Sequence, residues 1–376
     1  MLRIAAASPA IQSAKLKGST MLEARGVWLY PESMFAADPL KGKEQIRATI
    51  GRLADARFNL VLPWIGSGYL VALDDEKYRR DHLTARWDAI GVLIEEAHGA
   101  GLDSHIWYSF TSYRSPSSPD LDPRVGGDPN WAARHIKEFR SDSNTGRPEP
   151  LKMEDVCPQH PGLRRWQREL LTRMLRRYPL LRGLHIEEPG YNYAGYCLCD
   201  LCLEVFPKIY GEPLPECLDS SGAEDFRTIG TSAFTEEIAG VVRSRTPPLT
   251  FSTNGGYNWR EDRRIGRDWG RWARSGLLDY YAAQIYVNQI EVFRTRLATT
   301  IRALSPDCPV YAGLGFQWSG GRNTVTEIVR QIEAVRESGA SGLILFYGGA
   351  FTTELYQALA TGPFRWPAKL PMIQRG

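Results

Sequence analysis

Two adjacent carboxylates and three cysteines lie within residues 182–202, which read RGLHIEEPGYNYAGYCLCDLC. Glu187 and Glu188 close an apolar segment that has the composition of a buried strand. Burial of one acid beside another raises one of their pKa values, and a carboxyl group that keeps its proton near neutrality can act as a general acid. The pair therefore predicts acid–base catalysis. The alternative is that either glutamate only pairs with an arginine or caps a helix.

The cysteines predict a metal site. Cys197, Cys199 and Cys202 offer three thiolates from one turn, and zinc needs three or four such ligands in a tetrahedral arrangement. Cys157 follows the preceding strand candidate, so its loop should lie beside theirs and supply the fourth ligand. Because four thiolates leave no open coordination position, we expect a structural zinc ion, and unrelated buried thiols are the alternative. Reserve ligands are Cys217 and His160.

Strand-like and helix-like segments alternate along the chain. The segments between the strands repeat apolar residues every three or four positions, as in EQIRATIGRLADAR and VTEIVRQIEAVRESGA. Eight strands alternating with helices predict an α/β fold whose parallel sheet closes into a (β/α)8 TIM barrel. An open doubly wound sheet would need a glycine-rich phosphate loop after its first strand, and VWLYPESMFAADP contains none. The strand candidates are residues 24–30, 58–65, 102–110, 182–188, 249–255, 279–287, 309–316 and 341–349.

We expect one barrel domain over residues 21–366, preceded by a flexible arm over 1–20 and followed by a C-terminal tail over 367–376. Two long loop insertions, 111–160 and 189–235, follow strands three and four. Both insertions therefore rise from the face of the barrel that carries active sites. The apolar run in the arm, IAAASPAI, is too short and too broken for a secretory signal.

The composition is that of a globular protein, with 43% hydrophobic and 24% charged residues. A net charge of +3 gives no long-range field that would favour nucleic acid or a membrane surface, so we expect neither as a partner. No window approaches the roughly 18 apolar residues of a membrane span. Six cysteines with a tight cluster fit metal binding in a reducing compartment, which predicts a cytoplasmic protein. The oligomeric state is not specified.

A second catalytic acid is harder to place. Alternation along the fourth strand points His185 and Glu187 toward the barrel axis and the apolar residues toward the helices. Cleavage of a glycosidic bond normally needs a second carboxylate, at about 5–5.5 Å for retention or about 6.5–9.5 Å for inversion. Glu32, which follows the first strand, is the best-placed candidate, and Asp262 and Glu291 lie on later loops of the same face.

Polar and aromatic residues at the strand ends predict a carbohydrate pocket. Amides and tyrosines suit the recognition of hydroxyl groups, and aromatic rings stack on the apolar face of a sugar. Each of these residues alone is more often part of a core than of a site. The predicted substrate-binding residues are Trp64, His105, Trp107, Asn254, Tyr257, Trp259, Gln284, Tyr286, Gln317, Trp318 and Tyr347.

The chain resembles the glycosyl-hydrolase-like family 10 barrels over residues 22–350. The blocks that carry the resemblance occur in order: EARGVWLYPESMF, WDAIGVLIEEAHGAGLDSHIWYSF, GLHIEEPGY, STNGGYNWREDRRIGRDWGRWARSGLLDYYAAQIYV and SGLILFYGG. The resemblance implies a glycosidase-type TIM barrel. That family carries an Asp pair in an HLDD context after its fourth strand, and Glu187 and Glu188 stand at the matching positions in HIEE.

The loop after these glutamates is similar to that of the family 42 β-galactosidases. Those barrels place a glutamate at the end of strand four and follow it with a CxCxxC zinc cluster that an upstream cysteine completes. The similarity implies that Glu188 is the acid/base. Gln317 stands at the end of strand seven, where those enzymes carry their nucleophile. The implied zinc ligands are Cys157, Cys197, Cys199 and Cys202.

The leading hypothesis is a glycoside hydrolase of an oligo- or polysaccharide, with Glu187 or Glu188 as proton donor and a second acid, Glu32, to activate water. A non-catalytic carbohydrate-binding barrel is the alternative, because strand seven offers no acid. A zinc-dependent hydrolase of another bond would need paired histidine and aspartate ligands, and the six histidines form no HxH motif. The sugar, the linkage and the stereochemical course are not specified.

Overall fold

The computed structural model describes residues 21–66, 69–70, 87–109, 129–136, 156–191 and 195–371. Eight parallel strands form one closed barrel, in which each strand pairs with the next along the chain and the last pairs with the first. The predicted (β/α)8 barrel is confirmed, and each strand lies within the segment predicted for it. Strands β1 to β8 are Ala24–Leu29, Leu60–Ile65, Asp103–Tyr108, Gly183–Ile186, Thr250–Gly255, Tyr280–Gln284, Val310–Gly315 and Gly342–Phe346.

Helices surround the barrel, and residues that cap the backbone groups of a helix terminus stand at their ends. The last long helix, α10 (Val325–Ser338), starts with a capping box in which Thr324 Oγ1 accepts the Glu327 N–H at 3.2 Å and the Glu327 carboxylate accepts the Thr324 N–H at 2.6 Å. It ends at Gly339, whose φ of +82° favours glycine. Helices α1 to α11 are Pro31–Met34, Pro39–Asp55, Ala89–Gly99, Pro161–Arg177, Asp200–Tyr210, Ser221–Arg243, Trp259–Arg264, Trp269–Arg274, Ile290–Leu304, Val325–Ser338 and Thr353–Thr361.

The strands divide their side chains between two cores. On β4, Leu184 and Ile186 are fully buried in the cluster between the sheet and the helices. His185 points the other way, and its Nδ1 lies 2.9 Å from Ser252 Oγ inside the barrel. This alternation is the one predicted from the sequence, and it directs Glu187, two residues further on, to the inner side of the barrel. The interior core consists of Ala24, Trp28, Leu60, Leu62, Trp107, Tyr280, Ala282, Tyr311 and Ile344.

The insertions and termini add small elements to the barrel. The predicted arm, residues 1–20, lies outside the described residues, as does most of the insertion 111–160. The insertion 189–235 contains α5 and the beginning of α6. The predicted tail begins with Ala368–Lys369, which pairs in parallel with Met21–Leu22. Within the described ranges, no helix combines the length and the apolar character needed to cross a membrane.

A buried ion-pair network closes the bottom of the barrel, at the N-terminal ends of the strands. Glu23 accepts hydrogen bonds from Arg25 Nε and Arg336 Nε, both at 2.7 Å. The Arg25 side chain is fully buried and also donates to the Trp366 carbonyl at 2.8 Å. Burial alone would raise the pKa of Glu23, but the hydrogen bonds and charges of the two arginines lower it below its usual value of 4.5. The ionised network therefore stabilises the fold above that pH, and this contribution is lost as the pH falls through the lowered pKa.

We expect Glu23→Gln to lower the free energy of unfolding by about 3 kcal/mol at neutral pH, because it leaves the buried Arg25 charge without its counter-charge. Urea denaturation measures the change. The matched control is Glu96→Gln, which breaks an ion pair with Arg47 whose arginine side chain is 66% exposed, and its effect should be much smaller because solvent screens an exposed pair. Equal effects of the two substitutions would contradict the role assigned to the network.

Candidate active site

The carboxylate of Glu187 lies at the mouth of the barrel, by which we mean the opening at the C-terminal ends of the strands. The Glu187 N–H donates to the Tyr108 carbonyl at 2.9 Å, which extends the β3–β4 ladder by one residue beyond β4. Two side chains from the flanking strands then reach the same carboxylate oxygen. Trp107 Nε1 donates to Glu187 Oε2 at 2.5 Å, and Asn254 Nδ2 donates to it at 2.6 Å. Neither of these donors uses Oε1, so that oxygen is available to carry a proton.

Glu187 is poised to hold a proton near neutrality. Burial, and then the charge of Glu188, raises its pKa to about 7, although the hydrogen bonds from Asn254 and Trp107 and the charge of Arg267 act in the opposite direction. Desolvation disfavours the charged carboxylate more strongly than two donors stabilise it. A carboxyl group that is half protonated near pH 7 meets the requirement of a general acid.

Glu188 follows directly but has a different environment. Its φ of +35° lies in the left-handed region, where a residue with a Cβ is strained. Two contacts hold it there: the Glu188 N–H donates to Asn254 Oδ1 at 2.9 Å, and Arg267 Nη2 lies 3.0 Å from Glu188 Oε2. The pairing with an arginine that the sequence left open is thus present for Glu188, whose side chain is still 27% exposed.

Aromatic rings form a continuous belt around the rest of the mouth. Trp64 packs against Trp107 with ring centroids 4.7 Å apart, and Tyr30 lies 5.0 Å from Trp107. The belt continues through neighbouring rings to Tyr286 and then Trp318, which are 6.2 Å apart. Members of the belt are Trp64, Trp107, Tyr30, Tyr347, Phe346, Tyr286 and Trp318.

Two tyrosines connect this belt to the acids. Burial, followed by the charge of Glu187, raises the pKa of both Tyr30 and Tyr286, so each phenol stays protonated and lies within electrostatic reach of the acid. The Tyr286 hydroxyl is buried and has no hydrogen-bond partner within the described part of the chain. The mouth therefore joins an acidic side, directly after β4, to an aromatic side formed by rings from the other strands.

Other predicted substrate-binding residues lie elsewhere. His105 is 1% exposed and sits below Trp107 in the barrel interior, where its Nδ1 is 3.1 Å from the Tyr280 hydroxyl. Tyr257 and Trp259 pack against the helix-side core, with Arg296 4.6 Å above the Tyr257 ring. These two residues follow β5 in the chain, but the loop carries them outward, away from the axis.

Three further candidates occupy the rim or its surroundings. Gln284 is the half-buried last residue of β6, and Gln317 is exposed on a two-stranded hairpin, 317–318 with 321–322, that follows β7. Glu32, the predicted second acid, lies on α1. There its charge, after burial and the charge of Asp88, contributes to raising the pKa of Tyr69.

Three residues at the mouth are not among those predicted from the sequence. Tyr30 and Phe346 stand at the C-terminal ends of β1 and β8, so the strand-end rule that selected the other rings applied to them as well. Arg267 has no such signal, because it lies between α7 and α8 and reaches Glu188 only through the path of the β5–β6 connection. Its contact with Glu188 can be seen only in the three-dimensional structure.

The four predicted cysteines come together in a separate buried cluster. The sulfur atoms of Cys157, Cys197, Cys199 and Cys202 all lie within 4.8 Å of one another, and none is in a disulfide. The Cys157 and Cys202 sulfurs are 3.5 Å apart. A tetrahedron with Zn–S bonds of about 2.3 Å has edges of about 3.8 Å, so four thiols at this spacing are a donor set that suits zinc.

The cluster lies where the two long insertions meet. Backbone hydrogen bonds join them: Leu198 N–H donates to the Arg134 carbonyl at 2.9 Å, and Ile136 N–H donates to the Gly195 carbonyl at 3.0 Å. In the same region, the Cys157 N–H donates to the Trp131 carbonyl at 2.8 Å. These backbone hydrogen bonds therefore join the loop after β3 to the loop after β4, with the cysteines at the junction.

Taken together, the fold and the mouth define a (β/α)8 barrel with an acid pair and an aromatic belt at the strand C-termini, a layout typical of carbohydrate-active barrels. The chain belongs to the glycosyl hydrolase-like 10 family, whose sequence profile matches residues 23–306. The match confirms the resemblance to that family over these residues. A comparison with curated proteins finds no match.

Solved structures with the same fold include several glycosidases. The glycoside hydrolase domain of PgaB (BpsB) from Bordetella bronchiseptica has a TM-score of 0.66 at 14% identity, covering 90% of this chain and 98% of that one. The α-L-fucosidase isoenzyme 2 from Paenibacillus thiaminolyticus has a TM-score of 0.61 at 16% identity, with 90% and 48% covered. Gan42B, a GH42 β-galactosidase from G. stearothermophilus, has a TM-score of 0.61 at 14% identity, with 92% and 56% covered. The chain spans about half of the latter two, and at these identities the likeness establishes the fold alone.

We expect Trp107→Phe to raise the pKa of Glu187 by about one pH unit, because it removes a hydrogen bond that stabilises the ionised carboxylate. Carbon-13 NMR of protein labelled at the glutamate carboxyl carbon measures the titration. The control is Trp64→Phe, which removes an indole from the same belt but none of the donors to Glu187 described above. A titration that moves equally in both variants would argue against the assigned bond.

Proposed function

We propose that the protein is a glycoside hydrolase that cleaves O-glycosidic bonds of an oligo- or polysaccharide. The observation that carries the proposal is the buried carboxyl group of Glu187, which keeps its proton near neutrality beside a second, ion-paired carboxylate in a ring-lined mouth. Membership of the glycosyl hydrolase-like 10 family and the glycosidases among the structural neighbours support it.

Glu187 is the general acid in this proposal. Its proton on Oε1 passes to the glycosidic oxygen as the bond from that oxygen to the anomeric carbon breaks, so the leaving sugar departs as a neutral alcohol. A water molecule adds its oxygen to the anomeric carbon and gives up one proton, which restores the protonated acid. Trp107 and Asn254 hold Oε2 throughout and so fix the direction in which Oε1 points.

Glu188 is the carboxylate that we assign to the second role. It is ion-paired with Arg267, and in the proposal its carboxylate stabilises the positive charge that develops on the anomeric carbon. We prefer it to Glu32 because Glu188 is the carboxylate whose charge acts on Glu187, whereas Glu32 lies on α1. Retention or inversion is left open by this assignment.

The aromatic belt supplies the sugar-binding surface. Rings such as Trp64 and Trp318 are half-buried, which leaves part of each ring free for stacking on the apolar face of a pyranose. The Tyr286 hydroxyl, buried and close to Glu187, is placed to donate to a sugar hydroxyl. The proposed partner is therefore a carbohydrate, and the cytoplasmic location stays a prediction.

We also propose that Cys157, Cys197, Cys199 and Cys202 bind one structural zinc ion. The closeness and burial of the four sulfurs support this. Zinc would fix the two long loops beside the mouth, and with four protein ligands it would have no open position for substrate. The metal therefore takes no part in the proposed bond cleavage.

We expect Glu187→Gln to lower kcat/KM roughly 10²–10⁴-fold, the usual contribution of a general acid. Release of reducing sugar from a broad panel of glycans measures the activity. In the unsubstituted protein kcat/KM should fall above about pH 7, because the reaction needs the protonated form of Glu187.

The matched control is Glu291→Gln, an exposed acid at the start of α9 that should leave the activity unchanged. Calorimetry with the same glycans tests the alternative of a non-catalytic carbohydrate-binding barrel, which the amide at Gln317 favours. Binding without turnover in the unsubstituted protein would select that alternative and reject the enzyme.

Purified protein should contain about one zinc per chain. Cys202→Ser should remove the metal and lower the melting temperature, because the free energy of zinc binding by the four thiolates contributes to the stability of the fold. Elemental analysis and thermal unfolding are the measurements. Cys217→Ser, outside the cluster, should retain both properties. If chelation abolished activity without affecting stability, a structural role would be wrong.

A further inference from the structure

Arg267 is the buried cation of the mouth. It is 5% exposed, and its Nη2 contacts both Glu188 Oε2 at 3.0 Å and the Tyr191 carbonyl at 3.3 Å. Its own N–H donates to the Asp262 carbonyl at 2.9 Å, which ties it to α7. A Cβ on Gly190 would lie 2.8 Å from Arg267 Cγ, so the glycine is what lets the arginine pass this close to the backbone after β4. The guanidinium is therefore held through Nη2 by Glu188 and by the Tyr191 carbonyl.

The position of Arg267 matters because of the charged and titratable groups that surround it. Asp262 is already engaged, since its Oδ2 accepts from Trp269 Nε1 and from the Gly256 N–H, both at 2.8 Å. Glu188 is thus the carboxylate to which Arg267 bonds directly, and Glu187 lies next to it with its own donors. The groups that face this cluster are Glu187 and Glu188 after β4, Asp262 on α7, Tyr30 after β1, and Tyr281 and Tyr286 on and after β6.

We propose that Arg267 is the positioning residue that gives the two adjacent glutamates different roles. By bonding to Glu188 it keeps that carboxylate ionised and turned to one side of the mouth, so Glu187 is left as the group that carries the exchangeable proton. The inference rests on the proposed function, because the roles concern proton transfer to a glycosidic oxygen. It adds the residue that decides which glutamate donates.

The asymmetry follows from the geometry. Adjacent carboxyl groups in a buried site compete for one proton, and without a cation either of them can hold it. The strained backbone at Glu188 directs its carboxylate toward Arg267, while Trp107 and Asn254 direct Glu187 elsewhere. Loss of the cation should raise the pKa of Glu187, since the charge of Arg267 favours its ionised form.

The test is carbon-13 NMR titration of the glutamate carboxyl carbons in the intact protein, with signals assigned from Glu187→Gln and Glu188→Gln. In the unsubstituted protein, Glu188 should remain ionised across the pH range in which Glu187 titrates. In Arg267→Met, the pKa of Glu187 should rise further above 7, because the substitution removes a charge that lowers it. Arg267→Lys should give a smaller rise, because it keeps the charge but not the planar fork.

The matched control is Arg264→Met, which removes an exposed arginine three positions away and should leave both titrations in place. The proposal is overturned if Glu188 titrates near neutrality in the unsubstituted protein, a result that does not depend on any variant folding. It is also overturned if a folded Arg267→Met shows the wild-type titration. Because neither reading requires turnover, failure here is distinct from failure of the glycosidase assay. If the protein is active, the basic limb of kcat/KM should move to higher pH by the same amount in Arg267→Met.

Discussion

The parallel register of β3, β4 and β5 is the constraint on which the candidate site depends. Trp107 pairs with His185, and His185 pairs with Ser252, so two residues further along β4 the chain delivers Glu187 beside Asn254 and just above Trp107. The two donors to the carboxylate are therefore consequences of the ladder. If the register slipped by one residue, Glu187 would point toward the helices. An apolar neighbour would then take its place at the mouth.

Tyr191 links the two clusters that share one stretch of sequence. Its hydroxyl lies 3.6 Å from Cys157 Sγ, its carbonyl accepts from Arg267 at 3.3 Å, and its N–H donates to the Ile265 carbonyl at 2.9 Å. The thiols and the acids are thus two sites, with the residue between them held from three directions. Because Tyr191 contacts both the cysteine cluster and Arg267, it is a physical means of keeping Arg267, and through it Glu188, in place.

The sequence predicts the parts of this structure that depend on periodicity and topology. Eight strand segments, the inward direction of Glu187 and the meeting of Cys157 with the later cysteines all follow from alternation and from the order of elements in a barrel. Residues beyond a strand end are different, because a loop can turn in any direction. Trp259 was expected at the mouth but donates to Asp268 at 2.6 Å on the outer side, and Arg267 reaches the mouth from a loop that carries no pattern.

The two faces of the barrel treat a buried glutamate in opposite ways. At the bottom, burial alone would raise the pKa of Glu23, but two arginines lower it, so its charge stabilises the fold above the usual pKa. At the mouth, burial and then the charge of Glu188 raise the pKa of Glu187 to about 7. Stability from that group is complete at low pH and is lost as the pH rises through 7, so the ionised acid weakens the fold. A barrel whose other residues favour the fold tolerates this local loss of stability. A destabilising acid at the strand C-termini, where barrel active sites lie, is expected of a residue retained for chemistry.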